Sequence, residues 1–482
     1  IEIAPNRPSA FNTFQSHPLP GHTAFFSSWP TAFMIHNCPM PSAIDLSLRA
    51  ANPLSGSILL PGDKSLSHRA ALFAALAEGE SVIERFLISG VTHAMLNALT
   101  ALGIAWRLDG ARLTVNGKGL RGFEAPAAPL FCGNAATTIR MLAGALAAAG
   151  TPCVLDGSEG LRKRPMTRIT DPLRAMGVPV TTPNGCAPLT LAARTAGAPL
   201  RAIDCSLSVA SAQVKSCLIL AALAGDGPST LREPGPSRDH TERMLSAMGA
   251  DIRAVEPRTV RVVPLSRPLK PLCLELPGDI SSAAFLLAAA ALVPGSSVLI
   301  RDVGVNPTRT GILDVLEEMG AQLRIERPRE VAGEPVADIR LTSAPLKAVR
   351  VCGDTVVRMI DEFPVLAVLA CFAEGVTEVA DAEELRYKET DRISVTCGEL
   401  RRLGVRLEER KDGFAIRGGT PVGGECEAHG DHRLAMSLAL AGLAVPQPVT
   451  VRNAEILNES FPDFVPQMRA LGAAATETEH GS

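Results

Sequence analysis

The strongest constraint on this 482-residue chain is a block of sequence that recurs six times and closes each time on a glycine. In each block an Ala/Leu-rich run typical of a helix is followed by a β-branched strand segment and a second, amphipathic helix. The blocks end at Gly103, Gly177, Gly249, Gly320, Gly404 and Gly472, and the differences between these numbers are 74, 72, 71, 84 and 68 residues. Glycine suits the position after a helix, where φ is positive and a Cβ clashes. Any α/β protein has some helix–glycine–strand runs, but recurrence of the whole order predicts six α/β units.

The length of the chain and a second recurrence predict how these units are grouped. A chain this long exceeds one ordinary hydrophobic core, and six units suit two domains of three. The segment Pro61-Gly62-Asp63-Lys64-Ser65 opens one run of three units, and Pro277-Gly278-Asp279-Ile280-Ser281 opens the other. We therefore expect an α/β protein whose first domain is 62–278 and whose second domain is 44–61 plus 279–475, with the chain crossing near these two segments.

The two ends of the chain lack the repeat. Residues 1–43 are rich in Pro, Ser, Phe and His, and Arg7 is their only Lys or Arg. They therefore lack the basic, apolar pattern of a secretory signal and the several Arg of a transit peptide. We expect a disordered N-terminal extension at 1–43 and a flexible tail at 476–482. Met40 lies just before the patterned part, so a start site upstream of the true one is an alternative interpretation of the extension.

Composition argues against several classes of partner. Aromatic residues make up 4% of the chain and the net charge is −3, which argues against nucleic acid as a partner. The 11 Cys are scattered and lack metal-binding spacing. They indicate reduced thiols in a cytoplasmic protein, with a nucleophilic Cys as the alternative. The longest apolar run, 283–293, is shorter than the ~20 residues that cross a bilayer, so we expect no membrane partner.

Polar residues gather where helices of the first half are predicted to begin. Lys64, Ser65, His68 and Arg69 open one helix, whose N–H groups and cations suit a phosphate or carboxylate. The segment is not a Walker A loop. Taken singly, it fits a capped surface helix equally well. Comparable polar segments precede other helices at 133–140, 162–166 and 211–216.

The second half places acids and bases at corresponding positions, in segments 360–364, 386–392 and 431–433. Each segment alone fits a bland interpretation, because acids often cap helices and alternating charges often form surface pairs. Together, the segments of the two halves predict a closed anion-binding cleft with at least one general acid or base.

The motifs also resemble a known family. GDKSLSHR, GNAATTIR, RPM, SAQVKS, RDHTE, NPTRTG, IDEFP, KETDR and DHRLAMS follow one another in the order found in EPSP synthases, over about residues 45–475. The resemblance implies two similar domains, each of three βαβαββ repeats, that close around substrate. It also implies transfer of the enolpyruvyl group of phosphoenolpyruvate to the 5-hydroxyl of shikimate 3-phosphate, with release of phosphate. This is a step of aromatic amino acid biosynthesis that needs no cofactor or metal, and a monomer is expected.

The resemblance further implies the roles of three catalytic residues. Asp361 faces the 5-hydroxyl as an acceptor. Glu389 protonates and later deprotonates the methyl carbon. Lys64 bridges the reacting centre and stabilises developing charge. The sequence leaves open whether Lys64 or Asp361 is the kinetic base.

The two substrate sites follow from the resemblance in the same way. The shikimate 3-phosphate site is expected to contain Lys64, Ser65, Arg69, Ser211, Ala212, Gln213, Asp361 and Lys388. The phosphoenolpyruvate site is expected to contain Lys64, Ala136, Arg164, Gln213, Arg392 and Arg433. The three Arg suit a ligand that carries both phosphate and carboxylate, because guanidinium binds each of them bidentately.

Two positions depart from one large branch of the family. Ala136 stands where that branch has Gly, and Glu459 stands where it has Lys. Both are similar to the glyphosate-insensitive bacterial branch. We expect the Ala136 methyl to narrow the phosphoenolpyruvate pocket, and the missing Lys to leave Arg392 and Arg433 with more of the ligand carboxylate to bind.

Two rival functions fit the same scaffold. A sister enzyme transfers the enolpyruvyl group to UDP-N-acetylglucosamine and uses a loop Cys, whereas the corresponding loop here, 162–165, contains no Cys. A catalytically dead binding module is the second rival. The presence of Lys64, Asp361 and Glu389 argues against it.

Overall fold

The computed structural model describes residues 43–195 and 197–480. The extension predicted at 1–43 lies outside the described residues except for Ala43, and so do Ala196 and residues 481–482. Among the described residues, no helix is long and apolar enough to span a membrane.

The described residues form 24 strands. The first twelve are β1 (Ala43–Arg49), β2 (Ser55–Leu59), β3 (Glu78–Glu84), β4 (Ala105–Asp109), β5 (Arg112–Lys118), β6 (Leu130–Phe131), β7 (Cys153–Asp156), β8 (Val180–Thr181), β9 (Leu189–Leu191), β10 (Asp204–Ser206), β11 (Ser229–Arg232) and β12 (Ile252–Glu256). The others are β13 (Thr259–Val262), β14 (Cys273–Glu275), β15 (Ser297–Gly304), β16 (Gln322–Val331), β17 (Glu334–Thr342), β18 (Arg350–Val351), β19 (Val376–Val379), β20 (Leu407–Arg410), β21 (Gly413–Arg417), β22 (Gly424–Glu427), β23 (Val449–Arg452) and β24 (Ala474–His480).

The same residues form 14 α-helices. The first seven are α1 (Lys64–Leu76), α2 (Gly90–Ala101), α3 (Ala136–Ala149), α4 (Glu159–Arg162), α5 (Thr167–Ala175), α6 (Ala212–Ala222) and α7 (His240–Ala247). The last seven are α8 (Ile280–Leu292), α9 (Gly311–Glu318), α10 (Asp354–Arg358), α11 (Phe363–Cys371), α12 (Arg392–Arg402), α13 (His432–Ala441) and α14 (Phe464–Ala470). Short 3₁₀ turns lie at Pro183–Gly185, Glu383–Tyr387 and Ala454–Glu459.

The strands form six four-stranded sheets with one common pattern. The orders are β14-β3-β5-β4, β6-β7-β9-β8, β10-β11-β13-β12, β2-β15-β17-β16, β18-β19-β21-β20 and β22-β23-β1-β24. In each sheet the first two strands are parallel and the remaining pairs are antiparallel. The block that recurs in the sequence therefore corresponds to a sheet that recurs in the structure.

The glycines that close the blocks have the predicted conformation. All six have φ between 77° and 100°, and each follows the capping residue of α2, α5, α7, α9, α12 or α14. At such φ values an L side chain is strained, which explains why glycine recurs at this point of the block.

The buried apolar residues fall into two clusters. The first core contains residues between Leu66 and Leu276, and the second core combines Leu46–Leu60 with residues between Ile280 and Ala473. Both are built mainly from Ala, Leu, Val and Ile, as the scarcity of aromatic residues requires. Helices α1, α3, α6, α8, α11 and α13 are buried along nearly all their length, since each has sheets or other helices around it.

The two ends of the described chain pair in one sheet. Strand β1 lies between β23 and β24, and Ala43 pairs with His480. The flexible tail expected at 476–482 is thus an edge strand over residues 476–480. The alternating Thr-Glu-Thr-Glu of 476–479 suits an edge strand with few buried side chains, so a polar terminal segment can still form a strand.

The two segments that connect the cores are held together by one buried arginine. Asp63 caps α1 by accepting from the Leu66 N–H, and Asp279 caps α8 by accepting from the Ser281 N–H, at 2.8 Å in both cases. Arg309 donates to Asp63 at 2.9 Å and to Asp279 at 3.2 Å, and its side chain is only 2% exposed. A bridge between Gly62 and Gly278 pairs the two backbones alongside.

We expect Arg309→Met to lower the free energy of unfolding by about 3–5 kcal/mol, because it leaves two buried carboxylates without their shared cation. Urea denaturation measures the loss. The matched control is Arg112→Met, which breaks an exposed pair with Glu84 and should change stability by about 1 kcal/mol or less. Equal effects of the two substitutions would contradict the role of Arg309.

Candidate active site

A cavity of about 320 Å³ is lined by residues from both halves of the chain. Four of the residues that line it are the first residues of helices. They are Lys64 of α1, Ala136 of α3, Ala212 of α6 and His432 of α13. The N-termini of helices favour anions, because their N–H groups lack acceptors within the helix. The cavity is therefore suited to a negatively charged ligand.

Eleven of the thirteen predicted site residues line this cavity. They are Lys64, Ser65, Ala136, Arg164, Ser211, Ala212, Gln213, Asp361, Lys388, Glu389 and Arg433. Residues separated by more than 300 positions in the chain are thus brought together around one space.

The other two predicted residues, Arg69 and Arg392, lie behind the wall. Arg69 donates to Thr241 at 2.8 Å, to Ser216 at 3.0 Å and to the carbonyl oxygen of Ser65 at 3.1 Å. It therefore supports the start of α1 from behind, and it contacts the cavity only through Ser65.

Arg392 is 2% exposed, and its guanidinium group contacts three carboxylates. It donates to Asp431 at 2.7 Å and to Glu389 at 2.7 Å, and it lies 3.5 Å from Asp361. Asp361 and Glu389 line the cavity, so Arg392 acts on the cavity through these two carboxylates.

Lys64 opens α1 directly after the capping residue Asp63. Its backbone N–H lies 3.3 Å from an oxygen of Asp279. The start of α1 is therefore held against the segment around Asp279, the second of the two segments that connect the cores. Burial lowers the pKa of the Lys64 ammonium, and the charge of Arg433 lowers it further. The carboxylates of Asp361, Asp279 and Glu389 oppose this shift without cancelling it.

Asp361 is surrounded by cations. Arg238 donates to its carboxylate, while Arg433 and Lys388 lie 3.8 and 3.9 Å from it. Burial alone would raise the pKa of Asp361, but the charges of Arg238, Arg433 and Lys388 outweigh burial and hold the pKa well below its usual range. The carboxylate is thus ionised and able to accept hydrogen bonds.

Glu389 lies between two arginines. Arg392 donates to one oxygen at 2.7 Å, and Arg164 lies 3.3 Å from the other. Burial favours the neutral acid, but the two guanidinium groups outweigh it and hold the pKa of Glu389 well below its usual range. The Nε of Arg164 is buried without a hydrogen-bond partner among the described residues.

Gln213 is fixed by the wall of the first half. Its side-chain oxygen accepts from Arg140 at 2.6 Å, and its nitrogen donates to Thr137 at 2.9 Å. Arg140 also donates to the carbonyl oxygen of Pro165 at 3.1 Å, which ties this wall to the segment that carries Arg164. The orientation of Gln213 is thereby determined by its partners.

Several cavity residues were not on the list of predicted ligands. Arg238 lies in the RDHTE motif, but its sequence position gives no sign that it reaches Asp361 on the other half. His432 lines the cavity, and burial lowers its pKa to about 3, so the ring is neutral. Glu459 also lines the cavity, and burial raises the pKa of its carboxyl.

A further ion pair joins the two halves at this cavity. Arg168 of α5 donates to both carboxylate oxygens of Glu384, at 2.7 and 3.2 Å. Such bidentate pairs are specific in geometry as well as in charge. Together with Arg164–Glu389 and Arg238–Asp361, the pair fixes the two walls at contact distance.

Comparisons with known proteins identify the family of the chain. The family model "EPSP synthase (3-phosphoshikimate 1-carboxyvinyltransferase)" matches residues 48–468. The chain belongs to the EPSP synthase family. Its members transfer a carboxyvinyl group, the enolpyruvyl group of phosphoenolpyruvate, to shikimate 3-phosphate, and this chain is an enzyme of that reaction in aromatic amino acid biosynthesis.

Individual relatives cover nearly the whole described chain. A 3-phosphoshikimate 1-carboxyvinyltransferase of Gloeobacter violaceus is 48% identical over 423 residues, 87% of this chain and 96% of that protein. One from Synechococcus sp. is 46% identical over 436 residues, 89% of this chain and 97% of that protein.

Solved structures share the fold of this chain. The EPSP synthase of Acinetobacter baumannii has a TM-score of 0.81 at 39% identity and covers 91% of this chain and all of its own. An enolpyruvyl transferase of Streptomyces tendae has a TM-score of 0.73 at 22% identity, covers 92% of this chain and all of its own, and shares the fold. The mixed α/β fold expected from the sequence is confirmed at this level.

The lowered pKa values of the EPSP synthase site predict how stability depends on pH. A carboxylate whose pKa is lower in the folded than in the unfolded chain contributes stability that is complete above its ordinary pKa and lost as pH falls through the folded value. The ordinary values are 3.8 for Asp361 and 4.5 for Glu389. We therefore expect the free energy of unfolding to fall as pH is lowered from about 6 to about 3.

Urea denaturation at several pH values measures this dependence. In Asp361→Asn the free energy of unfolding should depend less steeply on pH, because the substitution removes one of the low-pKa groups. The slope should fall by up to the amount that corresponds to about one proton taken up on unfolding. The exposed Asp463→Asn serves as the matched control and should leave the slope unchanged. An unchanged slope in Asp361→Asn would contradict the electrostatic account of the site.

Proposed function

We propose that this cavity holds both substrates and that Lys64, Asp361 and Glu389 carry out the enolpyruvyl transfer. The observation that carries the proposal is that two ionised carboxylates and a lysine with a lowered pKa line one anion-binding space. Addition of the shikimate 5-hydroxyl to C2 of phosphoenolpyruvate requires a proton on the methylene carbon and removal of the hydroxyl proton. Phosphate then leaves C2 while the methyl group loses a proton to the enzyme, which gives the enol ether.

In this proposal Asp361 accepts the hydrogen bond of the 5-hydroxyl. Its low pKa keeps it ionised and so able to accept a hydrogen bond, but makes it a weak base, because its conjugate acid is strong. The lowered pKa of Lys64 favours Lys64 as the group that removes the hydroxyl proton. Asp361 as the kinetic base is the competing assignment. The dependence of rate on pH, compared between Lys64→Met and Asp361→Asn, separates the two assignments.

Glu389 is proposed to exchange the proton with the methyl carbon. Its pKa is low while Arg164 and Arg392 face it. When phosphoenolpyruvate binds to Arg164, its negative charge partly neutralises the guanidinium group that faces Glu389, and the pKa of Glu389 rises. Substrate binding thereby prepares Glu389 to carry the proton that the methylene carbon requires.

The anionic groups of the substrates are proposed to meet the cations of both walls. Arg164 and Arg433 bind the phosphate and carboxylate of phosphoenolpyruvate, with Ala136 and Gln213 beside them, and Arg392 supports the same subsite from behind Glu389. Shikimate 3-phosphate is placed along Ser65, Ser211, Ala212, Gln213 and Lys388. Arg69 supports that subsite through Ser65.

The two cores are proposed to be two domains, each of three βαβαββ repeats, with boundaries at 62–278 and at 44–61 plus 279–475. The six similar sheets and the division of buried residues near positions 60–66 and 276–280 support this assignment. The enzyme is proposed to act as a monomer in the cytoplasm, without cofactor or metal.

One assay separates this function from its rivals. Phosphate release from phosphoenolpyruvate is measured with shikimate 3-phosphate and then with UDP-N-acetylglucosamine. Phosphate release is expected with shikimate 3-phosphate as the acceptor and not with UDP-N-acetylglucosamine. Release only with the UDP-sugar would overturn the proposal in favour of the sister enzyme, and release with neither would favour a binding module.

The role of Glu389 is tested by Glu389→Gln. The amide keeps the size of the side chain but cannot exchange a proton, so kcat should fall by about 10²–10⁴-fold. Binding of shikimate 3-phosphate, measured by calorimetry, should change little. Near-normal turnover would remove Glu389 from the mechanism. Glu425→Gln, in an exposed pair with Arg452, is the matched control.

We also propose that the Ala136 methyl makes the enzyme glyphosate-insensitive by narrowing the phosphoenolpyruvate subsite. Ala136 is 4% exposed and lines the cavity at the start of α3. Ala136→Gly should lower the inhibition constant of glyphosate by about 10–200-fold, the range that one methyl in a close-fitting pocket controls. Ala149→Gly, at the other end of α3, is the control. Strong inhibition of the unsubstituted enzyme at phosphoenolpyruvate concentrations near its KM would contradict the proposal.

A further inference from the structure

A buried charge cluster lies behind the cavity, outside the residues assigned to the reaction. Lys215 of α6 is 1% exposed, and its ammonium lies 2.7 Å from Glu233 and 2.7 Å from Glu242. Burial alone would lower the pKa of Lys215, but the two carboxylates outweigh burial and raise it. The lysine is therefore charged, and none of these three residues lines the cavity.

The cluster is connected to the cavity by one segment of chain. Residues 233–239 follow β11 and precede α7 without forming helix or strand. Within this segment the Ser237 hydroxyl donates to the Glu233 carboxylate. The next residue, Arg238, crosses to the other half and donates to Asp361.

Few other contacts hold this segment. Its first residue, Glu233, donates its backbone N–H to the carbonyl oxygen of Arg258 at 2.9 Å, and the Asp239 side chain accepts from Arg243 and Asn306. Between these ends, the exposed Arg258 side chain donates to the carbonyl oxygen of Pro234 at 3.1 Å, near the start of the segment. The Glu233–Ser237 contact anchors the residue directly before Arg238. A loop with few backbone hydrogen bonds depends on such side-chain anchors for its position.

We propose that Lys215 is a positioning residue for the reaction: by fixing Glu233, it holds the 233–239 segment so that Arg238 reaches Asp361. The inference rests on the proposed role of Asp361. Because Arg238 is the largest of the charges that lower the pKa of Asp361, displacement of Arg238 weakens that effect. Lys215 thus acts on the acceptor of the 5-hydroxyl from behind the wall, without touching substrate.

The test compares Lys215→Met with Lys215→Arg in the full chain, using steady-state turnover with shikimate 3-phosphate and phosphoenolpyruvate. Lys215→Met should lower kcat/KM by about 10–100-fold, the cost of a displaced catalytic constellation. Its acidic limb in the pH profile should move upward by about one unit, since Asp361 loses an arginine neighbour. Lys215→Arg keeps the charge, so its kcat/KM and its acidic limb should both lie close to those of the unsubstituted enzyme. Lys118→Met, in an exposed pair with Glu124, is the matched control and should change neither.

A double-substitution cycle decides whether the effect passes through Arg238. If it does, Lys215→Met adds little to the loss already caused by Arg238→Gln. Independent, multiplying losses would overturn the proposal, and so would a Lys215→Met enzyme with an unchanged pH profile. If Lys215→Met does not fold, Glu233→Met removes the acceptor of Ser237 while Lys215 keeps Glu242 as its partner, and the same predictions apply to it. Absence of turnover in the unsubstituted enzyme would instead contradict the proposed function.

Discussion

The site depends on the buried Arg309, which holds the two crossovers of the chain side by side. Its guanidinium joins Asp63 and Asp279, and these carboxylates cap the helices that begin at Lys64 and Ile280. Because each carboxylate serves both a helix start and the arginine, the position of Lys64 is fixed relative to the second core. Burying three charges costs free energy, and the geometry compensates for it only while all three are present.

The two carboxylates proposed to act in catalysis illustrate the same constraint inside the cavity. Asp361 and Glu389 are buried among arginines and lysines, and either would be neutral in an apolar environment. The surrounding cations keep them ionised, and the same cations are the groups proposed to bind the anionic substrates. A ligand that draws on these charges changes the proton affinity of the carboxylates, so binding and proton transfer are linked through shared arginines.

The sequence predicted the parts of this structure that follow from local chemistry. The closing glycines could be identified because positive φ excludes most residues, and the helix starts could be identified because they combine small, polar and basic residues. Eleven of the thirteen predicted site residues line one cavity. Arg69 and Arg392 do not, because a motif identifies a residue near the site but does not distinguish a side chain at the wall from one behind it. The edge strand at 474–480 was missed because its polar alternation also fits a tail.

What the sequence could not predict is the pairing of charges across large separations. Arg238 and Asp361 are 123 positions apart, and Arg168 and Glu384 are 216 apart, so no local pattern connects them. Lys215 shows the consequence most clearly. In the sequence it is one basic residue in an apolar helix, for which a solvent-exposed face is the ordinary interpretation. In the fold it lies between Glu233 and Glu242, in a buried position where only a charged partner on each side makes a lysine tolerable. A buried lysine of this kind marks a place where the fold fixes a loop by charge, and here that loop carries Arg238 to Asp361.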